Sequence, residues 1–292
     1  MQFSFGFKQS NIVDSLSIFH MPLFFVISGY FAFKKNNQRT LLSLFIHRTV
    51  QLLIPLCIWS CIFCLLKDIN LIDLIQNNFG GYWFLWVLWI ISILFLLINN
   101  ISNKIHGTLI KDVSLIVLIY IAIIIMDKLN LHDSTIFPLH SLTTYYRYYA
   151  IGYLIHKYTI IHKFLLNKYT YPLGCILFLL QWYFIEKHNI VLIFLGGLGA
   201  ILFLYMFFKN KERNYKLLYN IGQITLPIYC CHYLLIPDMN FLHNYLSIGG
   251  FTLQLLASLI LSLWIIYLCW VLYKCTRRDI ILNLILWGNL KK

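Results

Sequence analysis

The sequence predicts an all-α protein, a polytopic transmembrane helix bundle of about nine spans, on three observations. Of 292 residues 60% are hydrophobic and only 11% charged, where a soluble domain keeps about a quarter of its residues charged. The mean hydropathy is +0.76, and the apolar residues come in long uncharged runs, close to the ~20 residues that carry a helix across ~30 Å of hydrocarbon. Those runs lack the strict alternation of an outer-membrane barrel strand. A helix also satisfies its own backbone donors and acceptors, as a hydrocarbon solvent demands.

Each predicted span is bounded by charge or by turn residues. The first, 15–33, ends at Lys34 and Lys35. The second, 47–66, follows the basic stretch up to Arg48 and stops at Lys67. The third, 82–99, opens on Tyr82-Trp83-Phe84. The fourth, 112–127, lies between Lys111 and Lys128, and the fifth, 143–157, holds Arg147 and ends at Lys157; these two are short, with polar flanks. Spans 171–186 and 190–208 are separated by Lys187 and closed by Lys209. The eighth, 222–237, contains His232, and the ninth, 251–273, stops at Lys274. A tenth apolar segment, Ile280–Trp287, is too short to cross. Set between Arg277-Arg278 and Lys291-Lys292, it reads as an interfacial helix over 280–290. Gln2–Asn11 is polar and aromatic, as an outer loop would be. No linker or 20–50-residue repeat divides the chain, so 1–292 reads as one membrane domain.

The formal charge of +13 would suggest nucleic acid in a soluble protein. Here the lysines and arginines fall between the apolar runs. With the amino terminus outside, eighteen face the cytoplasm and five the outside, alternating loop by loop as the positive-inside rule requires. The expected location is a bacterial cytoplasmic (inner) membrane, multi-pass, with a cytoplasmic carboxy terminus, membrane lipid as surroundings and no nucleic-acid partner. The eight cysteines lie in or at the ends of apolar runs. Cys57, Cys61 and Cys64 share a helix face without histidine or carboxylate company, so they read as packing residues and no metal is expected.

Ionisable side chains inside apolar spans are costly unless paired or hydrated, which makes them functional candidates. His20 lies about two turns into the first span. His232 is roughly ten residues into its own, or ~15 Å at the helical rise. Arg48 enters from the cytoplasmic side with Gln51 one turn further in. Arg147 stands among Tyr145, Tyr146, Tyr148 and Tyr149, and Trp83 opens a span on the outer side. Each has a plainer alternative. A neutral histidine can be satisfied by neighbouring helices, Arg48 can snorkel to headgroups, and Arg147 and Trp83 can be interfacial belt residues. Ser28-Gly29 can serve close helix packing alone.

The order of motifs adds to this. Phe19-His20-Met21-Pro22-Leu23-Phe24-Phe25-Val26-Ile27-Ser28-Gly29-Tyr30 closely resembles a signature of the acyltransferase-3 family of integral membrane O-acyltransferases. Arg48 through Pro55 resembles that family's basic stretch ending in Leu-Ile-Pro. Gly81–Leu85 is similar to its Trp-Phe-Leu segment, and Tyr149–Ile155 to its Phe-x-Leu-Gly-Tyr-Leu segment. Ile221–Tyr229 with His232 is similar to Gly-x-x-Thr-Leu-x-Ile-Tyr-x-x-His. The resemblance covers nearly the whole chain.

It implies a ten-helix fold moving an acyl group, usually acetyl, from cytoplasmic acyl-CoA to a hydroxyl of a cell-surface polysaccharide or its lipid-linked precursor. Acyl-CoA (acetyl-CoA) would be the donor, held by Arg48 and Gln51; His232, supported by His20, would serve the chemistry; Trp83 and Arg147 would meet the glycan acceptor. A guanidinium suits the phosphates of CoA, and an imidazole suits proton transfer near neutral pH. Two departures stand out. The family usually carries two arginines three residues apart, where this chain has Arg48 and Gln51. Its main catalytic histidine lies on a helix preceding the Phe-His-Met-Pro run, so the resemblance implies about 20 further apolar residues upstream of Met1, without which acyl transfer by these 292 residues is not expected. On composition and topology alone, a transporter or flippase for lipid-linked sugars stays open, although the paired half-repeats of such folds are not evident.

Overall fold

The computed structural model describes residues 11–33, 40–77, 79–105, 107–129, 137–165, 167, 169–183, 190–209, 222, 224–235 and 250–289. Regular structure among them is helical throughout: α1 (Asn11–Ala32), α2 (Leu41–Lys67), α3 (Leu71–Gln76), α4 (Trp83–Lys104), α5 (Leu109–Lys128), α6 (Leu139–Lys157), α7 (Thr159–Leu165), α8 (Thr170–Tyr183), α9 (Ile190–Lys209), α10 (Thr225–Leu235), α11 (Gly250–Thr276) and α12 (Ile280–Trp287). A 3₁₀ turn, Gly80–Tyr82, leads into α4.

The described residues of the nine predicted apolar runs fall largely on helices. Several helices extend past the apolar run because backbone bonding continues through polar flanks; α4 runs through Asn99, Asn100 and Ser102 to Lys104. The stretches α2, α4, α5 and Leu256–Thr276 of α11 are long and apolar enough to cross a membrane. Their outward faces are oily. Val117, Leu118, Ile121 and Ile125 of α5 and Ile260, Leu263 and Trp264 of α11 are exposed, as suits a lipid solvent rather than water. The expected outer loop Gln2–Asn11, apart from Asn11, lies outside the described residues. So do Lys8, Lys34, Lys35, Arg39, Lys168, Lys187, Lys211, Arg213, Lys216, Lys291 and Lys292 of the charge pattern.

The chain forms two compact units. One is Ser10–Phe45 with Val87–Arg213; the other is Met1–Gln9, Ile46–Trp86 and Asn214–Lys292. In the first, α1 and α6 lie backbone to backbone. A Cβ on Gly29 would run into the Tyr149 carbonyl, and one on Gly152 into the Val26 carbonyl. Gly29 therefore serves close packing, and Gly152 mirrors it from the facing helix. Around this seam Phe25 stacks on Tyr145 at 4.6 Å, and Phe95 of α4 sits 4.8–5.2 Å from Tyr146, Tyr149 and Tyr153. The Tyr146 hydroxyl donates to the Ile116 carbonyl of α5 at 3.2 Å.

A charged clamp closes one end of this unit. Lys157 Nζ is 2.5 Å from Asp112 Oδ2, with side chains 10% and 1% exposed. The same ammonium donates to Ser102 Oγ at 2.8 Å and Tyr153 Oη at 3.1 Å. Tyr158 Oη donates to Asp112 Oδ2 at 2.7 Å, and Tyr153 Oη to Asn99 Oδ1 at 3.0 Å. Burial, and then the bond it gives Asp112, push the Tyr158 phenol well above its ordinary range, so it remains a donor. Three helices, α4, α5 and α6, are thus tied at one buried carboxylate.

Candidate functional site

In the second unit, the sequence-predicted histidine is set by α10. Pro227 is tolerated there because it falls in the first turn, where a backbone N–H has no intrahelical partner. His232 follows near the end of the helix. Its Nδ1 lies 2.6 Å from the Tyr229 carbonyl and 3.1 Å from the Ile228 carbonyl. A carbonyl only accepts, so Nδ1 carries the hydrogen and donates it, and in the neutral ring Nε2 keeps the lone pair. Nε2 is then the nitrogen able to accept a proton.

Aromatic side chains wall this ring. Tyr233 lies 4.2 Å and Tyr229 5.7 Å from the imidazole. Two reciprocal bonds join α10 to the turn before α4: Tyr229 Oη donates to the Gly81 carbonyl at 2.7 Å, and Tyr82 Oη to the Cys230 carbonyl at 3.2 Å. Phe84 packs on Tyr229 at 5.2 Å, and Trp83, between Tyr82 and Phe84, meets Phe84 edge-on at 6.3 Å. The junction that positions His232 therefore also carries Trp83. Cys230, Cys231 and Cys269 are buried in the same unit, filling space as small apolar groups do.

Arg48 lies in the second turn of α2. Its Nη1 donates to Gln51 Oε1 at 3.4 Å. Where a second arginine would repel the first, the amide oxygen here orients the guanidinium. One bond engages only one of its five N–H donors, which leaves a fork able to meet phosphate.

The two remaining candidates belong to the other unit. His20 is an exposed residue of α1. Arg147 bonds the Thr144 carbonyl at 3.1 Å and lies over the Phe194 ring at 4.2 Å. Its neighbours Tyr146, Tyr148 and Tyr149 are buried and pack against neighbouring helices.

Sequence reasoning missed Tyr82, Tyr229 and Tyr233 as the wall of the His232 site, and the Asp112–Lys157 pair altogether. For the tyrosines, Gly81-Tyr82 and Tyr229 both sat inside the quoted motifs, but nothing in either motif says they bond each other.

A family model described as an acyltransferase domain, of the acyltransferase-3 type, matches residues 1–274. The chain is also similar to the nodulation protein NolL of Mesorhizobium japonicum, 31% identical over 90 residues, or 27% of this chain and 24% of that protein. The match thus spans about a quarter of that relative's length. No solved structure matches the chain.

Proposed function

This chain belongs to the acyltransferase-3 family, and on that premise we propose that it serves a membrane O-acyltransferase reaction in which an acetyl group moves from cytoplasmic acetyl-CoA to a hydroxyl of a cell-surface polysaccharide or its lipid-linked precursor. The observation that carries the reading is the Arg48–Gln51 pair on α2, at a basic motif that resembles the family's. Arg48 receives the phosphates of CoA, with Gln51 fixing the guanidinium. In the reaction the thioester C–S bond breaks, the acyl carbon bonds the glycan oxygen, and the hydroxyl proton ends on the CoA thiolate. His232, its Nδ1–H committed to the Tyr229 carbonyl, assists this proton movement through Nε2. Trp83, carried by the same junction as His232, contacts the sugar, for which its aromatic surface is suited.

The protein resides in the cytoplasmic membrane with its carboxy terminus inside, as the charge alternation implies. Helix α12 lies at the inner interface, since Ile280, Ile281 and Leu282 are exposed beside Arg277 and Arg278. The test is genetic and chemical. Deleting the chromosomal gene should remove O-acetyl groups from a surface glycan, read by mass spectrometry. Restoring the gene with His232→Ala should leave most acetylation missing while the protein accumulates normally. Unchanged acetylation in the deletion strain would refute the reading.

A further inference from the structure

The family match ends at residue 274, yet the helix beyond it packs on the turn that carries Arg48 and Gln51. Asp279 caps α12, accepting from the Ile281 and Leu282 amides at 2.8 and 3.3 Å. Trp287 is fully buried; it lies 5.4 Å from Trp59 of α2 and donates through Nε1 to Thr276 Oγ1 at 2.8 Å. Trp59 Nε1 returns a bond to the Leu286 carbonyl at 3.0 Å. The last contact is Gly288, in the left-handed conformation at φ 61°. A Cβ there would stand 2.7 Å from Gln51 Cα, the Gln51 carbonyl oxygen and the Val50 carbonyl oxygen. Only glycine tolerates both that φ and that approach.

The place of contact matters because of Pro55. Proline has no N–H, so the Gln51 carbonyl four residues back receives no helical hydrogen bond from it. Helix α2 is weakened at the turn that presents Arg48, and Gly288 packs there.

We propose that α12 is a positioning brace for the acyl-donor site, with Gly288 and the Trp59–Trp287 contact holding the Arg48–Gln51 turn in the geometry that receives acyl-CoA. The proposal rests on the donor role given to Arg48 above. It predicts that the tail acts on donor binding through Arg48, which a merely structural helix would not do.

The test compares purified full chains in detergent: parent, Gly288→Ala, Gly288→Asn, Trp59→Phe, Arg48→Ala and the Arg48→Ala/Gly288→Ala pair. Amide hydrogen exchange over residues 48–54 reads the brace without any ligand, and acetyl-CoA titration reads its consequence. Gly288→Ala should speed exchange in that turn about tenfold while leaving α4 and α6 protected. It should weaken acetyl-CoA binding about fivefold with Arg48 present and have no further effect in Arg48→Ala, because the two act on one interaction. Asparagine, which accepts positive φ but carries a Cβ, should behave like alanine. Trp59→Phe, which keeps the ring and drops one bond, should shift both readouts in the same direction by less. Unchanged exchange in Gly288→Ala overturns the brace. Faster exchange with unchanged binding, or with additive losses in the double variant, overturns its positioning role. If Arg48→Ala itself binds as the parent does, the donor reading falls and the positioning role with it, while the exchange result still decides whether the brace exists.

Discussion

Replacing Lys157 by methionine removes the cation from a carboxylate that is 1% exposed. Asp112 keeps the Tyr158 hydroxyl at 2.7 Å but loses its only ion-pair partner among the described residues. Breaking one side of a buried pair typically costs about 3–5 kcal/mol, because the remaining charge is left uncompensated. The reverse change, Asp112→Asn, should cost less, about 1–3 kcal/mol. Lys157 ends α6, and its long stem lets the ammonium reach toward headgroups or water. The double variant Asp112→Asn/Lys157→Met should then lose less than the two single losses combined, with a coupling of about 1–3 kcal/mol. The assay is the fraction of detergent-solubilised protein that stays monodisperse after heating, with exposed Lys163→Met as control. If Lys157→Met is no more harmful than Lys163→Met, or if the double variant is additive, the clamp does not hold these helices.

Other outcomes follow from the same geometry. Gly152→Leu should drive α1 from α6 and destabilise the protein by at least about 1–3 kcal/mol, the cost of overpacking a tight seam, whereas Leu→Ala changes on the exposed face of α5 should be nearly silent in thermal unfolding. Reporter fusions after Lys35, Lys111, Lys163 and Lys216 should signal cytoplasm and those near Asn78 and Asp238 the outside; a cytoplasmic signal at Asp238 would contradict the orientation.

The helices were legible because each apolar run is bounded by charge or by turn residues, and hydrogen bonding needs no more than a continuous run to form a helix. Even the short Ile280–Trp287 segment follows from its apolar run set between Arg277-Arg278 and Lys291-Lys292. What escaped the sequence is pairing at a distance. Lys157 read as one more cytoplasmic loop charge and Asp112 as a polar flank. A 45-residue separation carries no periodicity to join them, and only the α5–α6 packing does. The burial of the tyrosines around Arg147 was not legible either, because amphipathic rings favour both interfaces and interiors. Arg48 and Gln51, three apart on one helix, were legible as a pair; the glycine that packs behind them lies more than two hundred residues away and gave no sign.

The central claim is that Arg48 receives the acyl donor, and one titration tests it most directly. Acetyl-CoA binding to the purified chain in detergent should weaken at least about tenfold in Arg48→Ala, since a charge-assisted contact is worth about 1.5–3 kcal/mol. Arg48→Lys should fall between, because an ammonium keeps the charge and loses the planar fork. An Arg48→Ala protein that binds acetyl-CoA as tightly as the parent would contradict the account and leave Arg48 as a membrane anchor.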